Sequence, residues 1–194
     1  PDKDWPFRID SNKDKARADL EAGRVNLLGG TAWTWARDDY AASVDALVID
    51  EAGQMSLANA LAVARAGRGL VLFGDPAQLE QPQKGVHPPG AEVSTLEHWL
   101  GGDALTIPPN LGVFLPKTRR LHPKICQFIS GAFYEGRLTP EATLGLENQA
   151  VSVGGDPPAA GLRFCPVEHR GNTNQSPEEV LVVSALVERM LDQG

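Results

Sequence analysis

Five side chains carry the chemistry this sequence can offer: the adjacent carboxylates Asp50 and Glu51, the acid and amide Asp75 and Gln78, and the guanidinium of Arg120. The apolar run Ala46 to Ile49 leads directly into Asp50 and Glu51. A run this short suits a strand buried on both faces, as in a parallel sheet covered by helices. Ligands of such sheets bind just beyond the carboxyl ends of the strands, where this pair would stand. An aspartate there can hold the magnesium that bridges phosphates, and a neighbouring glutamate can orient or deprotonate an attacking water. The same residues also fit a helix cap and its first acidic turn. The stretch Gly69 to Leu79 repeats the pattern, with a second apolar run ending in Gly74-Asp75-Pro76-Ala77-Gln78. Two such strand ends are far more specific together than either is alone.

The elements between them have the spacing that joint action needs. Ser56 to Ala66 reads as a helix, with Ser56 as N-cap and Gly67 as its stop. Strand, helix and strand at this spacing suit a right-handed crossover, which would deliver Asp50, Glu51, Asp75 and Gln78 to one rim. Upstream, Lys13 to Ala22 is a helix with Ser11 and Asp14 as a capping box, and Arg24 to Leu28 is a strand entering Gly29-Gly30-Thr31. Downstream, Glu80 to Val93 is a loop and Ser94 to Leu100 a capped helix. Pro123 opens a helix whose Ile125, Phe128, Ile129 and Ala132 share one buried face. Leu138 to Gly161 is rich in glycine and proline and reads as a linker. Leu162 to Val167 is a short strand, and Ser176-Pro177-Glu178-Glu179 starts a helix with Val180, Val183, Ser184, Val187, Met190 and Leu191 along one face.

Asp50-Glu51-Ala52-Gly53-Gln54, Gly74-Asp75-Pro76-Ala77-Gln78-Leu79 and Arg119-Arg120-Leu121-His122-Pro123 resemble three successive motifs of superfamily 1 helicases, the first being a Walker B pattern. The branch they resemble most contains the eukaryotic RNA-surveillance helicase and its bacterial relatives. The wording of Trp5 to Asn12 and of His87 to Glu92 is similar to bacterial proteins that join such a helicase to a RecB-like nuclease domain.

The resemblance implies an α/β fold built on a RecA-like parallel sheet with helices on both faces. Residues 1–140 would be part of a first motor domain, 141–161 a linker, and 162–194 the beginning of a second. It implies ATP and magnesium (Mg2+) as cofactors and single-stranded DNA or RNA as a partner. The rest of the motor core, and a RecB-like nuclease domain in the same chain, are further partners it brings. By resemblance Asp50 binds magnesium, Glu51 is the catalytic base, and Gln78 senses the γ-phosphate. Asp75 holds the loop or its water network, and Arg120 stabilises transferred charge. Thr31 and Trp33 fall in the family segment that touches the nucleic-acid strand. A threonine hydroxyl can bond phosphate and a Trp face can stack on a base, although Trp33 and Trp35 equally suit a core. Thr118 and Arg119 stand where the family has Gln and Tyr, which puts adenine or ribose contacts there in doubt.

The chain is 194 residues long with a net charge of −7 and a pI near 5.1, so no global basic field attracts a polyanion. A narrow single-strand track remains compatible with that balance. The two cysteines have no CxxC partner, and the four histidines show no metal-ligand spacing, so neither a zinc site nor a disulfide framework is expected. A reducing cytoplasm is the compartment this implies, and no apolar run approaches membrane-spanning length. No P-loop pattern occurs: the one Lys followed by Ser or Thr is Lys117, preceded by Pro116. In the helicase family that loop lies upstream. The chain begins at Pro1 without an initiator Met, which suits an internal piece of a longer protein. By itself it is expected to bind ATP poorly and hydrolyse it hardly at all. Two other classes stay open: a magnesium-dependent nuclease using strand-end acids, and a non-catalytic RecA-like docking or nucleic-acid-binding module.

Overall fold

The computed structural model describes residues 7–78, 90, 93–101, 104–149 and 160–192. The Trp5–Pro6 wording, Leu79, the His87–Glu92 loop apart from Gly90, and the centre of the expected linker lie outside the described residues. Two compact units divide the chain, Pro1–Ala104 and Leu105–Gly194.

In the first unit, helix α1 (Lys13–Glu21) begins where the Asn12 side chain accepts a hydrogen bond from the Lys15 amide. Asn12, rather than the expected Ser11, is thus the cap, and Gly23 closes the helix at φ +66°. The expected strand over Arg24 to Leu28 does not form. The Arg24 and Val25 amides donate instead to the Asp19 carbonyl, so the backbone that a sheet would need is used to finish α1. A single helical turn, α2 (Ala32–Trp35), follows. Trp35 meets Tyr40 edge to face at 5.4 Å, and the buried Tyr40 hydroxyl donates to the Lys13 carbonyl, fastening α1 to this core.

Strand β1 (Val44–Ile49), helix α3 (Leu57–Ala64) and strand β2 (Gly67–Leu72) follow one another in the expected strand–helix–strand order. The strands are parallel neighbours, with Leu47 beside Leu70 and Ile49 beside Leu72. Ser56 caps α3 by accepting from the Asn59 amide, a device contributing ~1 kcal/mol. Helix α4 (Thr95–Leu100) starts at Ser94, whose hydroxyl accepts from the Glu97 amide, and ends at Gly101 in the left-handed region. Leu47, Ile49, Ala52, Ala60, Val63, Ala66 and Leu96 close the core with Trp35 and Tyr40.

That core covers the Leu47 and Ile49 side of β1 and reaches Leu72 of β2, while Leu70 beside Leu47 stays 44% exposed. Val48 is 53% exposed and its partner Val71 is 41% exposed, against the expectation of burial on both faces. The apolar run therefore has the composition of a two-sided strand with only one side covered among the described residues. The sheet there has two strands, so the architecture is mixed α/β and is not by itself a RecA-like sheet.

In the second unit, two-residue strands β3 (Lys117–Thr118) and β4 (Thr139–Pro140) pair in parallel around helix α5 (Pro123–Phe133). Pro123 takes the first turn, and His122 caps it, its Nδ1 accepting from the Lys124 amide at 3.1 Å. The buried side of α5 differs from the expected one. Cys126 and Ser130 are buried, whereas Phe128 is 56% exposed. The cause is the return of the chain: Glu135 and Gly136 both take positive φ, the Gly136 amide donates to the Ser130 carbonyl, and Leu138 to Pro140 come back against Cys126. Burial pushes the Cys126 thiol above its ordinary value.

Two 3-10 turns, Ala142–Leu144 and Leu146–Asn148, occupy part of the expected linker, and Leu146 is buried. The expected strand over Leu162 to Val167 forms no ladder, with Phe164 92% exposed. Helix α6 (Pro177–Leu191) starts as expected, its Ser176 hydroxyl accepting from the Glu179 amide. None of its residues is buried: Val182, Ala185 and Leu186 are half-buried, whereas Val180, Val183, Val187, Met190 and Leu191 on the expected face are exposed. No helix of the described residues is long and apolar enough to cross a membrane.

Candidate functional site

The parallel register of β1 and β2 ends both strands at one edge, and the two loops that follow are clamped together there. The ladder continues past the strands: the Phe73 amide donates to the Ile49 carbonyl at 2.8 Å, and the Ala52 amide to the Phe73 carbonyl at 2.7 Å. Ala52 and Gly53 are buried. A Cβ on Gly53 would lie 2.4 Å from the Asp75 carbonyl oxygen, and one on Gly74 would lie 2.8 Å from the Ala52 nitrogen. Close backbone approach therefore requires glycine at both positions, and at Gly74 the φ of +159° adds to that requirement.

On this clamp stand the four expected side chains. Asp50 is exposed, and its Oδ1 accepts from the Glu51 amide at 3.0 Å. Glu51 is exposed with φ +54°, an uncommon conformation for a residue with a Cβ that costs about 1–2 kcal/mol. The turn is closed by the Gln54 amide donating to the Glu51 carbonyl at 2.8 Å. After β2, the Asp75 Oδ1 accepts from the Ala77 amide at 3.0 Å, and the Gln78 amide donates to the Asp75 carbonyl at 3.3 Å. Gln78 is exposed, and its Oε1 accepts from the Gln54 Nε2 at 3.4 Å. One rim thus presents two adjacent carboxylates, a third at the second loop, and a side-chain amide.

That inventory fits a magnesium–phosphate ligand. Magnesium keeps several waters and takes one or two protein carboxylates together with phosphate oxygens. An exposed strand-end Asp50 leaves room for such a shell. No group of three His, Cys, Asp or Glu side chains among the described residues converges as an all-protein metal site.

The remaining candidates belong to other segments of the chain. Thr31 is the exposed N-cap residue of α2 and its side chain makes no capping bond. Trp33 is 83% exposed while Trp35 is 8% exposed, so of the two tryptophans one is core and the other offers an open aromatic face. No hydrogen bond or ring contact among the described residues joins Thr31 or Trp33 to the rim. Arg120 belongs to the second unit, exposed on the loop before α5, where its amide donates to the Thr118 hydroxyl at 3.2 Å.

Residue-by-residue reading of the sequence passed over Gln54 and the two clamping glycines as site components. Their signal was their place inside the quoted motifs, but the contacts that give them a purpose run between loops more than twenty residues apart. No family model matches the chain, and no curated protein matches it.

Proposed function

We propose that this chain is part of the motor core of an ATP-dependent superfamily 1 helicase or translocase acting on single-stranded DNA or RNA. The observation that carries this reading is the shared strand-end edge, where the Asp50–Glu51 turn and the Asp75–Gln78 turn are clamped backbone to backbone. β1 and β2 would be two strands of a RecA-like sheet, with other segments of the complete protein covering the exposed Val48–Val71 side and supplying the phosphate-cradling loop. The reducing cytoplasm is the compartment this fits.

In this reading Asp50 would hold Mg2+, and the ion would supply charge neutralisation for the phosphates of ATP. Glu51 would take the proton of the attacking water. Asp75 keeps its loop in shape by accepting from the Ala77 amide. Gln78 donates its amide hydrogens to the γ-phosphate. Arg120 adds positive charge as the phosphoryl group transfers, an effect worth several orders of magnitude in rate for arginines so placed. Thr31 and Trp33 meet the nucleic acid, the hydroxyl at a phosphate and the indole against a base.

The test is Glu51→Gln in the full-length protein that carries this chain. ATP turnover is expected to fall at least ~1000-fold while nucleotide binding is retained, since the substitution removes the base and keeps the shape. Turnover at the unsubstituted rate would take Glu51 out of this role.

A further inference from the structure

We propose that Gln54 is a positioning residue for Gln78, choosing which end of the Gln78 amide faces the γ-phosphate; this rests on the motor reading above. A side-chain amide is two-sided. Its oxygen repels phosphate oxygens, whereas its NH2 group can donate to them. The two orientations differ by a half-turn about one soft torsion, and nothing in the exposed Gln78 backbone selects between them.

The contact across the rim makes the selection. The Gln54 Nε2 donates to the Gln78 Oε1 at 3.4 Å, which engages the oxygen and leaves both Nε2 hydrogens of Gln78 for a ligand. No described residue accepts a hydrogen bond from that Nε2. The bond is long and adds little to stability, so its effect lies in orientation. Gln54 is well placed to hold a fixed position. It is half-buried, its own amide closes the Glu51 turn, and Gly53 before it is pressed against the Asp75 carbonyl. Gln78 starts from the same clamp, its amide tied to that Asp75 carbonyl. The turn that carries the base and the amide that reads the phosphate are thereby joined through one side chain.

Gln54→Met keeps length and flexibility and deletes the donor. Gln54→Glu reverses the polarity: its carboxylate accepts from the Gln78 Nε2 and turns the Gln78 oxygen outward. On the chain itself, 15N spectra of the side-chain amides are expected to show the Gln78 NH2 pair shifting in Gln54→Met, with the melting temperature unchanged. An unmoved Gln78 pair overturns the proposal without touching the motor reading. In the full-length protein, the preference for the β,γ-imido analogue of ATP over ADP is expected to fall about 10-fold in Gln54→Met and further in Gln54→Glu, with ADP affinity unchanged. An unaltered preference in both variants overturns the positioning role. An unsubstituted protein that neither distinguishes the two nucleotides nor hydrolyses ATP removes the motor reading, and the role of Gln54 falls with it.

Discussion

At the scale of single residues, the site depends on atoms that are missing as much as on those present. Gly53 has no room for a methyl group, because the Asp75 carbonyl occupies the space. Gly53→Ala is expected to lower stability by ~1–3 kcal/mol through forced separation of the two loops. Gly131→Ala is the matched control: it lies within α5, meets nothing within 4 Å, and is expected to raise stability by ~0.5–1 kcal/mol. Thermal or urea unfolding of both variants checks the pair. The two tryptophans divide in the same way. Trp35→Ala removes a core ring and should cost ~3–5 kcal/mol, whereas Trp33→Ala should leave stability within ~0.5 kcal/mol. If Trp33 stacks on a base, its loss weakens single-strand binding by ~1–3 kcal/mol, read by fluorescence anisotropy with a labelled oligonucleotide.

At the scale of elements, helix α1 is held by charge as well as by Tyr40. Asp19 is 5% exposed and accepts from Arg8 at 2.5 Å and from Arg24 at 2.7 Å. The hydrogen bond from Arg8, followed by that from Arg24, holds its carboxyl below the ordinary value. A depressed folded value means that the unfolded chain takes up a proton first as pH falls. The stabilisation is therefore complete above the unfolded carboxylate value of about 3.9 and is lost as pH drops through the lower, folded one. Asp19→Asn is expected to melt at a lower temperature than the unsubstituted chain at neutral pH, with the gap narrowing below about pH 4. A gap independent of pH would assign the effect of Asp19 to packing alone. The same logic of partners explains why Arg24 to Leu28 is no strand: its first amides already serve the end of α1.

At the scale of the molecule, burial is concentrated in few places. Leu47, Ile49, Ala60 and Val63 lie in one core, while α6 has no buried residue in fifteen. A helix of that length is marginal in water without packing. Amide hydrogen exchange should therefore be slowest in β1 and α3 and faster in α6 by at least about 100-fold. Equal protection of α6 and β1 would show that the α6 face is covered after all.

What the sequence determined by itself is local in origin. Ser56, Ser94 and Ser176 mark helix starts because a hydroxyl satisfies amides three residues away, and Pro123 and Pro177 fit first turns for equally short-range reasons. The parallel pairing of β1 with β2, and with it the common edge for Asp50, Glu51, Asp75 and Gln78, was legible because periodicity and strand–helix–strand spacing leave few alternatives. The tertiary structure decided what depends on partners distant in sequence. It alone showed which side of α5 is buried, that the Val48–Val71 side is open, that Trp33 faces outward, and that Gln54 meets Gln78. A side chain's pattern says which neighbours it could accept, but only the folded chain says which of them arrive.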